Sequence, residues 1–308
     1  MRIAFLIAAH AYPELLLRLV RKLEGPFGSV YVHVDSDVDI RPFKVLFNKA
    51  GMCSVRWVQR VSSRWGTFGQ VRASLSLLGE ALRSEKDSDM FMLLSGQDYP
   101  LCSPEKMAAF FERKKGVSFI ACGRLPRSVW VPDGGLDRLT KYHFNFGGYR
   151  LKYPCKSLPV SRRMQVAYRM CDLLLPKVRR LPLNFTFYGG TSWWNLTREA
   201  SESIFEYVRR NPDFVRRFRF TLSSDEIFFQ TILMNLGRWT FESDSLRNVF
   251  WNNGRNEFPG YVRMENYEEM KRSGKFFTRK VHPQDSLELL DMIDRELLVT
   301  SVPKLHSR

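Results

Sequence analysis

The run RIAFLIAAHAYPELLLRLVRKL, residues 2–23, decides the fold. Arg2–Ala9 is apolar after its arginine and strand-sized, and reads as a first strand. After the break at His10-Ala11-Tyr12, Pro13 suits a first helical turn, where its missing amide hydrogen costs nothing. Leu15, Leu16, Leu19, Val20 and Leu23 then recur at helical spacing. A strand running straight into an amphipathic helix opens a βαβ unit, and the pattern repeats downstream. Ser29–Val34 reads as a second strand, Pro42–Ala50 as a short helix and Ser54–Val58 as a third strand. Phe68–Leu82 is a long helix with Val71, Leu75, Leu78 and Leu82 on one face, and Met90–Leu94 a polar-free central strand. These units predict an α/β fold: a mixed, mainly parallel sheet flanked by helices, in one large domain over residues 1–300 with a tail at 301–308.

Beyond that come a helix at Ser103–Lys114, with Ser103 as its cap, and a strand at Ser118–Cys122. From Gly123 to Asn184 the periodicity weakens into a stretch rich in Arg, Tyr, Pro and Gly. It holds one helix near Arg162–Leu175 and reads as an insertion lining or covering a site. Pattern returns as a strand at Thr191–Asn195, helices at Arg198–Arg209, Ser224–Leu236 and Asn266–Ser273, a strand at Lys275–Thr278 and a helix at Leu287–Leu298. The net charge of +16 is uneven: Arg138 to Arg219 holds 17 Lys and Arg against 5 Asp and Glu. Such a field attracts phosphorylated donors, acidic polymers or an anionic membrane face. No helix-turn-helix, zinc-finger spacing or RNP-type motif accompanies it, which argues against a nucleic-acid partner. The five cysteines are dispersed without a CxxC pair, the usage of free thiols in a reducing compartment. With Ile3–Ala9 as the longest apolar run, neither a membrane span nor a cleaved leader is expected.

Four segments carry more polar or aromatic chemistry than a plain fold needs. His10 and Asp35 stand at the carboxyl ends of the first two strands, where parallel sheets bind ligands, and Asp35 is placed to accept bonds from a ribose or base. Leu94-Ser95-Gly96-Gln97-Asp98 opens the central strand into a turn that would aim Ser95 and Asp98 into the same crevice. The Asp-x-Asp triplets from Asp35, Asp37 and Asp87 have a spacing common on surfaces, so no metal site is expected. Gly189-Gly190 before Trp193-Trp194 predicts a close backbone approach to a ligand, with aromatic faces for a sugar ring. Ser223-Ser224-Asp225-Glu226 sets two acids in the first turn of an apolar helix, where the helix dipole keeps a carboxylate ionised and Glu226 can act as a general base. Arg263, Arg279 and Lys280 supply cations that could neutralise a departing diphosphate.

Taken in order, Ile7–Tyr12, Val32–Asp35, Trp65-Gly66, Leu93–Leu101, Gly189–Leu196, Ser223–Phe229 and Phe276–Val281 resemble the core-2/I-branching β-1,6-N-acetylglucosaminyltransferase family. That family, glycosyltransferase family 14, also holds the peptide O-xylosyltransferases. The resemblance implies a GT-A-type, Rossmann-like fold with a nucleotide-binding half at 1–122, a basic insertion at 123–188 and an acceptor and catalytic half at 189–300. It implies inverting transfer from a UDP-sugar to a saccharide hydroxyl with neither metal nor other cofactor. The donor would be UDP-GlcNAc, with UDP-xylose as the alternative. Glu226 matches the catalytic base, Lys280 a diphosphate-binding cation and Arg263 its partner, with Arg279 as the substitute. Asp35 and the Ile7–Ala8 backbone match donor contacts, and Trp251 an acceptor-stacking aromatic. The chain resembles the compact bacterial members, so the expected acceptor is an oligosaccharide or lipid-linked saccharide of surface polymer synthesis. The expected location is cytoplasmic, with the basic region at the inner membrane face.

Overall fold

The computed structural model describes residues 1–146, 149–154, 162–177, 179–182, 185–251 and 259–298. Its strands are β1 (Ile3–Ala9), β2 (Gly28–Val34), β3 (Arg56–Trp57), β4 (Met90–Ser95), β5 (Asp98–Pro100) and β6 (Val117–Arg124). They continue with β7 (Tyr142–Phe146), β8 (Tyr149–Tyr153), β9 (Tyr188–Thr197), β10 (Thr240–Glu242), β11 (Arg247–Val249) and β12 (Phe277–Arg279). The main sheet runs β10-β6-β9-β4-β1-β2-β3. Every neighbouring pair in it is parallel except those made by β9, which lies antiparallel between β4 and β6.

Alternate residues of β1 explain why its sequence has no polar face. Ile3, Phe5 and Ile7 join one buried cluster with Leu16, Leu19 and Val20 of the helix Pro13–Leu23. Ala4 and Leu6 point the other way, into a cluster with Val71, Leu77 and Leu78 of the helix Gly69–Ser84 and with Phe228, Phe229 and Ile232. Both faces of the central strand are thus dry, the signature of a parallel α/β sheet.

A small second sheet, β11-β12-β5, sits at the carboxyl edge of the first. Its β5 follows β4 after the Gly96-Gln97 turn and pairs antiparallel with β12, which sets Asp98 opposite Arg279. The β7–β8 hairpin and the helix Arg162–Leu174 form a separate outwork on the basic segment.

The weakly periodic segment thus contains a hairpin and the short helix Leu136–Thr140, which the sequence pattern did not announce. The helix expected at Ser224–Leu236 is split into a 3₁₀ turn at Ser224–Glu226 and an α-helix at Phe228–Leu236, after Ser223 in the left-handed region at φ 45°. The strand placed at Lys275–Thr278 lies at Phe277–Arg279. Cys53, Cys102, Cys122 and Cys171 are free thiols. Cys155 and the 301–308 tail lie outside the described residues. Among the described residues no helix is long and apolar enough to cross a membrane.

Candidate active site

The site is organised by an irregularity in β9. Ile120 pairs with Trp194 and Cys122 with Gly190, so Thr191, Ser192 and Trp193 stand opposite Ala121 alone. A bulge of this kind re-aims side chains that a regular strand would alternate. Ser192 donates to the Asp225 carboxylate at 2.6 Å. The next residue, Trp193, carries the Arg279 guanidinium on its ring, 4.0 Å from the centroid. Two consecutive residues of one strand thereby tie the Asp225-Glu226 turn and the Arg279-Lys280 pair to the same place.

Glu226 is partly exposed, and its carboxylate accepts a 2.5 Å hydrogen bond from Arg138. Burial, and then the charge of Asp225, push its carboxyl up to about 7, against the pull of Arg138 and Arg127. The helix dipole was expected to keep this group ionised; Glu226 instead sits in a 3₁₀ turn ahead of the α-helix, where desolvation and Asp225 oppose Arg138. Asp225 is buried and also raised by desolvation, with Ser192 opposing. Arg138 in turn stacks on Trp130, 4.0 Å from the ring centroid. A carboxyl poised near neutrality beside a fixed cation has the properties of a general base.

The glycine pair before the tryptophans serves packing. A Cβ on Gly190 would stand 1.7 Å from the Ala121 carbonyl oxygen, and one on Gly189 would stand 2.5 Å from the Trp130 ring. The close approach predicted for a ligand is therefore made by strand β6 and by Trp130.

On the cationic side, Arg279 is buried and lies 3.6 Å from Asp98, which is wholly enclosed. Arg247, also buried, bonds Asn195, Ser245 and the Leu93 carbonyl, and burial draws its guanidinium down to about 10 while Asp98 opposes. Burial, and then Arg279, lower the Lys280 ammonium, with Asp98 opposing. His10, on the exposed end of β1, is lowered by burial and then by Lys280, while Asp35 raises it. These couplings put Lys280, His10 and Asp35 in one electrostatic neighbourhood at the carboxyl edge of the sheet.

Several expected site residues have other work. Ser95 and Asp98 do not project into a crevice. The Ser95 hydroxyl accepts the Gln97 amide at 3.1 Å, and Asp98 turns back to accept the Ser95 amide at 3.1 Å. Ile7 is fully buried in the middle of two ladders, and the Ala8 carbonyl accepts the Gly96 amide at 2.9 Å. Asp35 spends its oxygens on Ser63 and on the Asp37 amide, shaping the loop after β2. Trp194 is wholly buried against Phe229, so only Trp193 of the pair can meet a sugar. Arg263 is exposed and paired with Asp285 at 3.0 Å. Trp251 is exposed and bridges to Pro259, beside residues 252–258, which lie outside the described set. Among the described residues no group of three or more His, Cys, Asp or Glu side chains is arranged to hold a metal ion. Asp37 and Asp39 are instead paired with Arg64 and Arg41.

A cavity of about 450 Å³ is lined by Trp65, Asp137, His143, Arg150, Lys152 and Arg219 among others. Asp137 faces it while its neighbour Arg138 holds Glu226, and the Ser223 amide bonds the Gly66 carbonyl at 3.0 Å. The Arg150 guanidinium lies 4.0 Å over the Trp65 ring. Trp65 with Arg150, Lys152 and Arg219 gives this cavity an aromatic and basic lining. Sequence reasoning missed Arg138, Arg150 and Arg247 as site residues; only the local excess of charge pointed toward the first two.

The Core-2/I-branching enzyme family model matches residues 3–273. This chain belongs to the Core-2/I-branching enzyme family. Human xylosyltransferase 2 is 28% identical over 271 residues, covering 82% of this chain and 27% of its own length. The Arabidopsis thaliana β-glucuronosyltransferase GlcAT14B is 24% identical over 316 residues, covering 97% of this chain and 67% of that protein. The chain thus spans about a quarter of the length of the xylosyltransferases it matches. Among solved structures, S. aureus TarS residues 1–349 in complex with UDP aligns over 99% of this chain and 68% of that one, at 13% identity and a TM-score of 0.39.

Proposed function

We propose that this member of the family is an inverting glycosyltransferase that moves a sugar from a UDP-sugar to a saccharide hydroxyl without a bound metal. The reading is supported above all by the β9 bulge, where Ser192 holds Asp225 beside Glu226 and Trp193 holds Arg279 beside Lys280. Glu226 takes the proton of an acceptor hydroxyl as its oxygen attacks the anomeric carbon. The bond to the diphosphate breaks on the opposite side and UDP leaves with the electron pair, so an α-linked donor gives a β-linked product. Lys280 faces the departing charge, with Arg279 fixed behind it by Asp98 and Trp193. Fixed cations of this kind stabilise developing negative charge without a divalent ion.

The donor proposed first is UDP-GlcNAc, from the family's branching activity. The xylosyltransferase and glucuronosyltransferase relatives favour UDP-xylose as a second reading and add UDP-glucuronate to the candidates. Calorimetric titration of UDP in excess chelator tests the class: affinity in the micromolar range is expected, and binding that appears only with added metal overturns the metal-free mechanism. Hydrolysis of a panel of UDP-sugars then ranks the donors, and fastest turnover of UDP-xylose would replace the first reading with the second.

A further inference from the structure

The helix Arg162–Leu174 has two apolar faces, and among the described residues one of them packs on the β7–β8 hairpin. On one side Met164, Ala167, Tyr168 and Cys171 pack with Leu151 and Tyr153 of the β7–β8 hairpin. The Tyr153 hydroxyl donates to Asp172 at 2.9 Å, and the Tyr153 and Tyr168 rings meet at 5.1 Å. Val166, Met170, Leu173 and Leu174 follow at i, i+4, i+7 and i+8, and at 100° per residue they form a second face that adjoins the packed one on the Ala167 side. They are open: Val166 is 58% exposed, Met170 50%, Leu173 80% and Leu174 72%. Arg162 and Arg169 border this stripe, Arg163 stands at its N-terminal end and Lys177 follows it, all exposed.

We propose that this helix is an interfacial anchor that lays its Val166-Met170-Leu173-Leu174 stripe into the headgroup boundary of an anionic membrane. An apolar stripe of about two and a half turns bordered by arginines is a composition that binds in the plane of a charged interface. The charge complementarity selects this occupant over a second copy of the chain, since two such faces would oppose their own arginines. Asp172, the sole acid of the helix, accepts a bond from Tyr153, and Arg162, Arg163 and Arg169 outnumber it. The hairpin that seats the helix also supplies His143, Arg150 and Lys152 to the cavity that Asp137, the neighbour of Arg138, lines. The anchor would therefore hold that cavity near the membrane, a consequence that rests on the proposed function, whereas the anchoring itself does not.

The test is sedimentation of the full chain with vesicles of phosphatidylcholine alone and with about one third phosphatidylglycerol added. Binding to the anionic vesicles and its loss at high salt are expected. Leu173→Gln with Leu174→Gln should weaken vesicle binding about tenfold or more. Arg162→Ala, Arg163→Ala and Arg169→Ala together should weaken it on the order of a hundredfold. All five positions are exposed, so the thermal midpoint should hold. Equal binding to both vesicle types, or full binding by the leucine variant, overturns the proposal. So does concentration-dependent dimerisation in vesicle-free light scattering that the leucine variant abolishes. UDP titration of the same wild-type preparation reports on the proposed function separately.

Discussion

The two walls of the site are built in opposite ways. The wall that carries Lys280 and Arg279 rests on the sheets: Asp98 and Arg279 face each other across paired strands, both buried, with Arg247 enclosed beneath. The wall that carries Glu226 rests on side chains reaching out of irregular segments, Arg138 from a five-residue helix and Ser192 from a bulge. The first holds its cations in place within paired strands, with Asp98 opposing the cost of their burial; the second tunes a titratable group at a partly open surface. A leaving-group site needs constant charge, whereas a base needs a carboxyl that gives and takes a proton near neutrality.

The strongest way to break this division is Glu226→Gln. It keeps the shape of the side chain and its contact with Arg138 but cannot accept the acceptor's proton. Turnover should fall by about 10²–10⁴-fold, roughly 3–5 kcal/mol, with UDP affinity retained. Wild-type turnover in that variant would remove Glu226 from the chemistry. Next is Asp98→Ala, which leaves Arg279 and Arg247 buried without their counter-charge. Loss of one partner of a buried pair costs about 3–5 kcal/mol, so the urea midpoint should fall markedly, and an unchanged midpoint would show that the wall does not depend on Asp98.

How far the sequence revealed each wall follows from the same difference. Ile3–Ala9, Pro13–Leu23 and Met90–Ser95 were legible because burial on both faces imposes a local pattern, and the structure matches them within a residue or two. Glu226 and Lys280 were legible as types of residue in quoted motifs. Their partners were not, because the pairings span long stretches of chain: Arg138 lies 88 residues from Glu226, and Arg247 lies 154 from Leu93. Ser95 and Asp98 were misplaced because a strand end followed by Gly96 gives no sign that the chain folds straight into a second sheet. Trp193 and Trp194 could not be told apart while the bulge was unseen, since it decides which of them leaves the core.

The tuned wall can be probed through its pH dependence. If Glu226 is the base proposed above, its active form is the carboxylate, and kcat/KM should fall as pH drops through about 7. Arg138 is the cation that pulls this value down; Arg138→Ala leaves burial and Asp225 unopposed save by Arg127. The acid limb should then move to higher pH, with activity lost at neutrality and recovered in base, and Arg138→Lys should restore part of it. A uniform loss at every pH would mean that Arg138 acts only on structure.

The smallest effect separates the two cations first paired as diphosphate ligands. Lys280 is partly buried and couples to His10 and Arg279, so Lys280→Ala should weaken UDP binding by about tenfold or more, the scale of a hydrogen bond to a charged group. Arg263 stands in solvent, already held by Asp285 at 3.0 Å. Exposed pairs of this kind are screened by water and salt, and Arg263→Ala should leave UDP affinity nearly unchanged. If calorimetry instead shows the two variants equally impaired, Arg263 must abandon Asp285 when the nucleotide binds. The wall of fixed charge would then include a moving part, and the contrast between a rigid leaving-group side and an adaptable base side would no longer hold.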